Sequence, residues 1–377
     1  MQYIFIIAAF HALFFAVLLF QKKVRALHDH LLIVWLIYLG LYTGVYALFF
    51  DTLYENSPLL AAGFISLLLL HGPFLYFYIK SLTEKSYKVK QSAFLHLLPF
   101  MLFNLYLLGS SFYSGYSASI RMGYVEAHIN PPLLFLLFLG ITALSGPVYF
   151  VYSLQLIKKH DIQIFKNFSS YETINLDWLR KLVFVFGTIW VVLISFATIH
   201  HGFSLFSMHF CTDGLFLSLS LFIILTGYFG LKQRDIFSYY LSEGKAKEQK
   251  GNKPTETYLP DADSQQYLQQ LDTYMQNRKP FLNPKLTLPQ LAAKVDIPYY
   301  TLSQVINRSG IHFFDYVNQY RVEEVKKRMQ DPDFKNYTLL GIALESGFNS
   351  KSAFNRVFKN ITGITPTQYK KSTFRIK

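Results

Sequence analysis

Basic and amide side chains recur at helical spacing near the C-terminal end of the sequence, between Lys351 and Lys359. Lysine and arginine neutralise phosphates, and the arginine fork and the asparagine amide match donor and acceptor patterns on base edges. Seven basic residues and no acidic residue lie between Ser350 and Lys377. This composition predicts contact with a nucleic acid.

Other chemistry has little support. No nucleophile elbow, HExxH motif or phosphate-binding glycine loop occurs, so we expect no catalytic residue, no cofactor and a protein that is not an enzyme. One cluster could hold a transition metal and consists of His200, His201, His209, Cys211 and Asp213. Its spacing matches no standard zinc pattern, so we expect no metal site, and whether the cluster binds anything else is left open.

Charge divides the chain into two regions. The 377 residues are 52% hydrophobic and 16% charged, whereas a soluble domain holds about 25% charged residues. Up to Leu231 there are 13 Lys+Arg and 9 Asp+Glu, and from Lys232 onward there are 23 and 14. We therefore predict a transmembrane sensor domain over 1–231, a cytoplasmic linker over 232–263 and a soluble basic domain over 264–377.

Seven apolar runs in the first region approach the ~20 residues that a helix needs to cross a bilayer. They are Tyr3–Phe20, Leu31–Phe50, Pro58–Ile79, Phe94–Leu108, Pro132–Leu156, Leu182–His200 and Leu215–Leu231. Because a bilayer offers backbone groups no water, these runs should be helices. Polar residues within or near them, His11, His71 and Asn104, are interpreted as hydrogen bonding between helices, and His71-Gly72-Pro73 as a kink.

Basic residues alternate between the loops that connect these runs. The six loops hold 3, 0, 4, 1, 5 and 0 Lys+Arg in order, and Lys232 and Arg234 follow the last run. Positive charge marks the cytoplasmic side, so the N-terminus is expected outside and the basic domain inside. A cleaved signal peptide at Met1–Phe20 is the weaker alternative, since its basic cluster follows the apolar run.

The basic region contains two predicted helix-turn-helix units. In the first, Thr287 caps a helix to Val295, with Ala292 and Ala293 allowing close approach, Asp296 in the turn, and a second helix over Pro298–Arg308. A long helix over Phe313–Gln330 follows. An 18-residue helix is about 27 Å long, and one DNA turn advances about 34 Å, so the two units could reach successive major grooves.

The second unit begins with a helix over Thr338–Ser346, in which Ala343 allows close approach. Gly347 provides the turn, Phe348 plugs the core, and Asn349 or Ser350 caps a helix to Thr362. Gly363 ends that helix, and Pro366 starts a last short one. The predicted fold class is thus all-α, with seven transmembrane helices followed by a double helix-turn-helix domain.

The stretch SGFNS at Ser346–Ser350, followed by Phe354, Arg356, Phe358, Gly363 and Pro366, resembles the signature of the AraC/XylS family of bacterial transcription regulators. The resemblance covers about Gln266–Lys371, and the whole layout is similar to membrane-anchored members. It implies sequence-specific binding of double-stranded DNA in the cytoplasm by a multi-pass protein of the bacterial inner membrane.

By position, the resemblance implies DNA contacts for nine residues. They are Tyr300, Thr301, Ser303 and Gln304 on the first recognition helix, and Lys351, Ser352, Asn355, Arg356 and Lys359 on the second. The first of these faces has no charge and is expected to read bases weakly or by shape. Phe348, Phe354 and Phe358 are expected in the core, and Arg321 is expected to be structural.

The favoured interpretation is a membrane-embedded one-component regulator controlled by a signal that the membrane region senses. The alternative is a receptor or transporter whose basic domain binds a protein or anionic lipid. A membrane metalloenzyme built on His200–Asp213 is the weakest interpretation. The sequence leaves open the signal, the target promoters, activation or repression, and homodimerisation.

Overall fold

The computed structural model describes residues 1–84, 87–112, 132–170, 175–203, 208–232 and 261–375. Within these ranges the regular structure is helical, with a single isolated antiparallel bridge between Phe168 and Thr287, which confirms the predicted all-α class. The chain divides into two compact units, Met1–Lys158 with Leu176–Gly244, and Lys159–Asn175 with Lys245–Lys377. Most of the predicted linker, residues 233–260, lies outside the described ranges.

Among the described residues of the first unit there are eight α-helices. They are α1 (Gln2–Phe20), α2 (Leu27–Asn56), α3 (Pro58–Ser66), α4 (His71–Thr83), α5 (Leu98–Ser111), α6 (Leu133–Asn167), α7 (Asp177–Phe203) and α8 (Met208–Lys232). The last residues of α6, from Lys159 onward, belong to the second unit.

Seven helical segments among the described residues are long and apolar enough to cross a membrane, which is the predicted number. The third combines α3, a 3-10 turn over Leu67–Leu70 and α4, so the helix is interrupted next to the kink predicted at His71. The fourth combines a 3-10 turn over Gln91–Leu97 with α5.

The polar residues inside these segments behave differently from one another. The Asn104 amide donates to Ser66 Oγ at 2.8 Å, a bond between α5 and α3 that confirms the predicted role. His71 Nε2 lies 3.5 Å from the Tyr38 hydroxyl on α2. For His11 the prediction is wrong, because its Nδ1 lies 2.8 Å from the carbonyl oxygen of Ile7 in the same helix.

Seven α-helices lie within the described residues 261–375 of the second unit. They are α9 (Asp261–Arg278), α10 (Leu288–Val295), α11 (Tyr299–Arg308), α12 (Phe313–Gln330), α13 (Leu339–Glu345), α14 (Lys351–Thr362) and α15 (Pro366–Arg375). The helix pairs α10–α11 and α13–α14 are the two predicted helix-turn-helix units, and α12 joins them.

Each helix pair packs around its own apolar cluster. Leu291 and Leu302 of the first pair are fully buried with Val317 of α12. Ala343 and Phe358 of the second pair are fully buried in a cluster that also includes the other end of α12. Because α12 contributes side chains to both clusters, it fixes the two pairs to one rigid element.

Candidate nucleic-acid interface

The first helix pair is closed by the predicted cap and turn. Thr287 Oγ1 accepts from the Gln290 backbone N–H at 3.4 Å, and Gln290 Oε1 accepts from the Thr287 N–H at 3.0 Å, which forms a capping box. Asp296 adopts the left-handed conformation with φ of 53°. Helix α11 begins at Tyr299, one residue later than predicted, because Pro298 takes the N-cap position.

Small residues allow the helices to approach, as predicted, with one exception. Ala292 is 4% exposed and Ala343 is fully buried. Ala293, however, is exposed to solvent, so the prediction for it is wrong. Successive residues on an α-helix point about 100° apart, so only one of two neighbours can face the packed partner.

The second helix pair is closed by glycine and serine. Gly347 has φ of +93°, which favours glycine because it lacks a Cβ atom. Phe348 is buried in the cluster behind the turn. Of the two predicted caps, Ser350 fills the role, since its Oγ accepts from the Ala353 backbone N–H at 3.1 Å.

Helix α14 separates an apolar face from a polar one. Phe354 and Phe358 are buried, as predicted. Of the residues with predicted DNA contacts, the exposed ones are Lys351, Ser352, Asn355 and Lys359. Arg356 is partly buried, and burial lowers the pKa of its guanidinium from the ordinary value of 12.5. An arginine remains charged at neutral pH, so this helix presents a cationic surface that also carries amide and hydroxyl groups.

The four predicted contact residues on helix α11 are polar, and none of them carries a positive charge. Tyr300 is 61% exposed and Gln304 is exposed, while Thr301 and Ser303 are partly exposed. Ser303 Oγ accepts a hydrogen bond from the Asn307 amide at 3.3 Å. The two recognition helices therefore differ in electrostatics, as the sequence predicts.

Comparison with known proteins bears directly on this part of the chain. A family described as "Helix-turn-helix domain" matches residues 291–372. Two relatives are uncharacterized HTH-type transcriptional regulators of Staphylococcus aureus, from strains COL and N315. Each is 35% identical over 86 residues, which is 22% of this chain and 11% of the relative. No solved structure was found to match.

The C-terminal part of the chain is an AraC-type helix-turn-helix domain. The matched residues contain all of α11, α12, α13 and α14 and most of α10, which begins three residues before the match. The chain spans about a tenth of the length of the relatives it matches. The similarity therefore concerns this domain and the class of DNA-binding transcriptional regulators.

Arg321 holds the AraC-type domain together from the middle of α12. Its side chain is 1% exposed. Its five N–H groups donate to the carbonyl oxygens of Phe281, Asn283 and Ser169, to Ser169 Oγ and to Asn318 Oδ1, at 2.7–3.2 Å. A buried guanidinium is tolerated when its donors are satisfied. The predicted structural role of Arg321 is confirmed.

A second polar contact joins α12 to the end of α9. Glu324 is 5% exposed and accepts from Lys279 at 3.0 Å and from Arg328 at 2.9 Å. Burial alone would raise the pKa of Glu324, but the two cationic partners hold it below its ordinary value of 4.5. This ion-pair network was missed from the sequence, because Lys279 and Glu324 lie 45 residues apart and nothing local pairs them.

Tyrosine hydroxyls make a third such contact. Tyr316 and Tyr320 both donate to Asp272 Oδ1, at 2.7 and 2.6 Å, and so tie α12 to α9. Burial raises the pKa of Tyr320 to about 12, so it stays protonated and able to donate. The sequence gives no local sign of this contact, because Asp272 lies 44 residues from Tyr316 and 48 residues from Tyr320.

The cluster considered for metal binding is only partly described. The side chains of His200, His201, His209 and Cys211 lie outside the described residues. Asp213 accepts a hydrogen bond from the Tyr46 hydroxyl at 2.6 Å. Among the side chains that the structure does describe, no group of three or more His, Cys, Asp or Glu residues could hold a metal ion.

Proposed function

We propose that this protein is a membrane-embedded transcriptional regulator that binds promoter DNA sequence-specifically through both helix-turn-helix units. The observation that carries the proposal is the pair of capped helix pairs built onto one 18-residue helix, each with a polar recognition surface. Helix α12 is about 27 Å long. That length suits two recognition helices in successive major grooves on one side of a duplex.

The DNA contacts follow from the chemistry of the exposed side chains. Asn355 suits a bidentate contact to adenine, and Arg356 suits guanine or a phosphate. Lys351 and Lys359 suit phosphates, while Ser352 suits either kind of contact. On α11, the uncharged set Tyr300, Thr301, Ser303 and Gln304 suits base edges and groove shape.

Membrane embedding is supported by large apolar side chains that are exposed on the described helices of the first unit. On α5, an exposed stripe at helical spacing contains Leu98, Met101, Leu102, Leu105 and Leu108, each 46–64% exposed. A stripe of this kind suits contact with lipid. The alternation of basic loops supports a C-terminal part in the cytoplasm of a bacterium, where it can meet the chromosome.

We further propose that the first unit senses the signal. It contains an apolar and aromatic cavity lined among others by Trp35, His71, Tyr149, Trp190 and Phe222. Apolar pockets with a few polar groups are the usual form of small-molecule sites, so this cavity suits an apolar or aromatic ligand.

The test uses the full chain in lipid nanodiscs and selection of duplexes from a random pool. We expect one enriched operator motif. Asn355→Ala and Arg356→Ala should each weaken binding to that operator by about 1–3 kcal/mol, because a base contact is lost. Lys359→Ala should weaken binding to the operator and to random duplexes alike. It should also reduce the slope of log affinity against log salt concentration by about 1, because one phosphate contact is lost.

Two results of this experiment would count against the proposed function. A chain that enriches no motif, or that binds all duplexes with affinity unaffected by Asn355→Ala, would contradict sequence-specific recognition. Binding to anionic vesicles in place of DNA would favour the alternative of a basic lipid-binding domain.

A further inference from the structure

A short segment far from the AraC-type domain in sequence forms part of its unit. Residues 159–175 belong to the second unit, although in sequence they comprise the last turns of α6, which ends at Asn167, and the residues that lead to α7. We name residues 164–169 the docking segment. Three of its residues, Ile164, Phe168 and Ser169, are at most 5% exposed.

The docking segment pairs with the backbone in front of the first helix pair. Ser169 donates to the carbonyl oxygen of Leu286 through its backbone N–H at 3.2 Å and through Oγ at 2.7 Å. Phe168 forms an antiparallel bridge with Thr287, the residue that caps α10. The segment thus contacts the cap on which the first helix pair depends.

Ser169 also completes the hydrogen bonding of Arg321. Arg321 donates to the Ser169 carbonyl oxygen at 2.7 Å and to Ser169 Oγ at 2.9 Å, and the Asn318 amide lies 3.3 Å from the same carbonyl oxygen. Arg321 and Ser169 are both 1% exposed. Without the segment, two of the five guanidinium N–H groups would lose their acceptors, and unsatisfied buried charged donors are costly.

The opposite end of the segment reaches the second helix pair. Phe165 packs edge-on against Phe314 of α12, with ring centroids 5.2 Å apart. It lies against the apolar cluster that includes Phe348 and Phe354. One docking segment therefore contacts the cap of the first pair, the middle of α12 and the cluster of the second pair.

A contact with a recognition helix completes the arrangement. The Tyr299 hydroxyl donates to Asn167 Oδ1 at 2.6 Å. Tyr299 is the first residue of α11 and precedes Tyr300, a proposed DNA contact. Burial raises the pKa of Tyr299, so its hydroxyl stays protonated at neutral pH. The segment is therefore placed to influence where α11 begins.

We propose that the docking segment is the element that couples the membrane region to DNA affinity. When docked, it holds both helix pairs in the spacing that binds an operator, and withdrawal of the segment weakens binding. The effect of docking on operator affinity rests on the proposed function, whereas the docking contacts themselves do not. Because the segment leads into apolar segments at both ends in sequence, a change in those segments can act on the operator through it.

The docking is tested by a disulfide in the full chain. Phe168 and Thr287 form a non-hydrogen-bonded antiparallel pair, whose Cα atoms lie about 4.5 Å apart, within the range for a disulfide. Phe168→Cys with Thr287→Cys, in a Cys211→Ser background in nanodiscs, should oxidise readily. The control replaces Phe168→Cys by Gln163→Cys, an exposed position one residue before the docking segment, and should oxidise slowly. Equal rates would overturn the docking without reference to DNA.

The coupling is tested on the same chain with the operator duplex recovered by selection. The oxidised double-cysteine chain should bind that duplex more tightly than the same chain in its reduced form. Because both forms lack the Thr287 cap, its loss does not affect this comparison. Ser169→Ala should weaken binding about tenfold, since it removes hydrogen bonds that include one to a charged donor. Gln163→Ala, an exposed position one residue before the docking segment, should leave operator affinity unchanged.

The outcomes separate the two proposals. A disulfide that forms but leaves operator affinity equal in both redox states would overturn the coupling. Affinity unchanged by Ser169→Ala would do the same. A chain that cross-links as expected but selects no operator would overturn the proposed function while the docking stands.

Discussion

Glu324 illustrates how single residues stabilise the AraC-type domain. Its carboxylate lies between Lys279 and Arg328 and is almost fully buried. Removing the charge of Glu324 takes a hydrogen-bonded ion-pair partner from both Lys279 and Arg328, although Arg328 Nη1 also lies 3.9 Å from Glu345 Oε2. The domain therefore depends on this carboxylate staying ionised.

We predict that Glu324→Gln destabilises the domain by about 1–3 kcal/mol at pH 7, because charged hydrogen bonds are lost. The folded pKa lies below 4.5, so the difference from wild type should persist above that pH and vanish as pH falls through the folded pKa. Hydrogen exchange of α12 amides in the full chain measures it. Glu323→Gln, an exposed partner of Lys326, is the control and should cost under about 0.5 kcal/mol.

At the scale of elements, caps and turns decide where helices stop and in which direction the next one runs. Asp296 and Gly347 occupy corresponding turns and both have positive φ. Glycine at 347 also meets a packing demand, because a Cβ atom there would collide with the carbonyl oxygen of Phe281 and approach Arg321. The Gly347 turn and the Arg321 contacts are therefore one packed unit.

We predict that Gly347→Ala destabilises α13 and α14 by at least about 2 kcal/mol, from the positive φ and the collision together. Gly363→Ala is the matched control, since its φ is +79° but its Cβ would meet nothing within 4 Å. It should cost about 1 kcal/mol. Hydrogen exchange of α14 amides distinguishes the two, and equal losses would show that the collision is relieved at no cost.

At the scale of the whole molecule, the distribution of basic loops predicts the orientation of the chain. Of two reporters fused after Lys232, the one that is active only in the cytoplasm should show activity, and the one that is active only outside it should not. A reporter placed between Asp51 and Ser57, in the second loop, which has no Lys or Arg, should be active only outside. Activity of the Lys232 fusion outside the cytoplasm would contradict the proposed topology.

Local signals in the sequence were sufficient for much of this architecture. The seven apolar segments, the capping Thr287, the left-handed Asp296 and the Gly347 turn each depend on a few neighbouring residues, and each was predicted. Hydropathy, capping and positive φ are local properties, so they can be read from composition and spacing. The same reasoning placed Phe354 and Phe358 in the core.

Only the tertiary structure decided which distant residues meet. Asp272 with Tyr320, Lys279 with Glu324, and Ser169 with Arg321 are separated by 48, 45 and 152 residues, and no local pattern links them. Buried polar groups pair wherever the fold brings a complementary partner, so their partners follow from packing. The sequence by itself determined two apolar-cored helix pairs after seven membrane-length helices, while folding made the end of α6 and the residues that follow it part of the unit that carries those pairs.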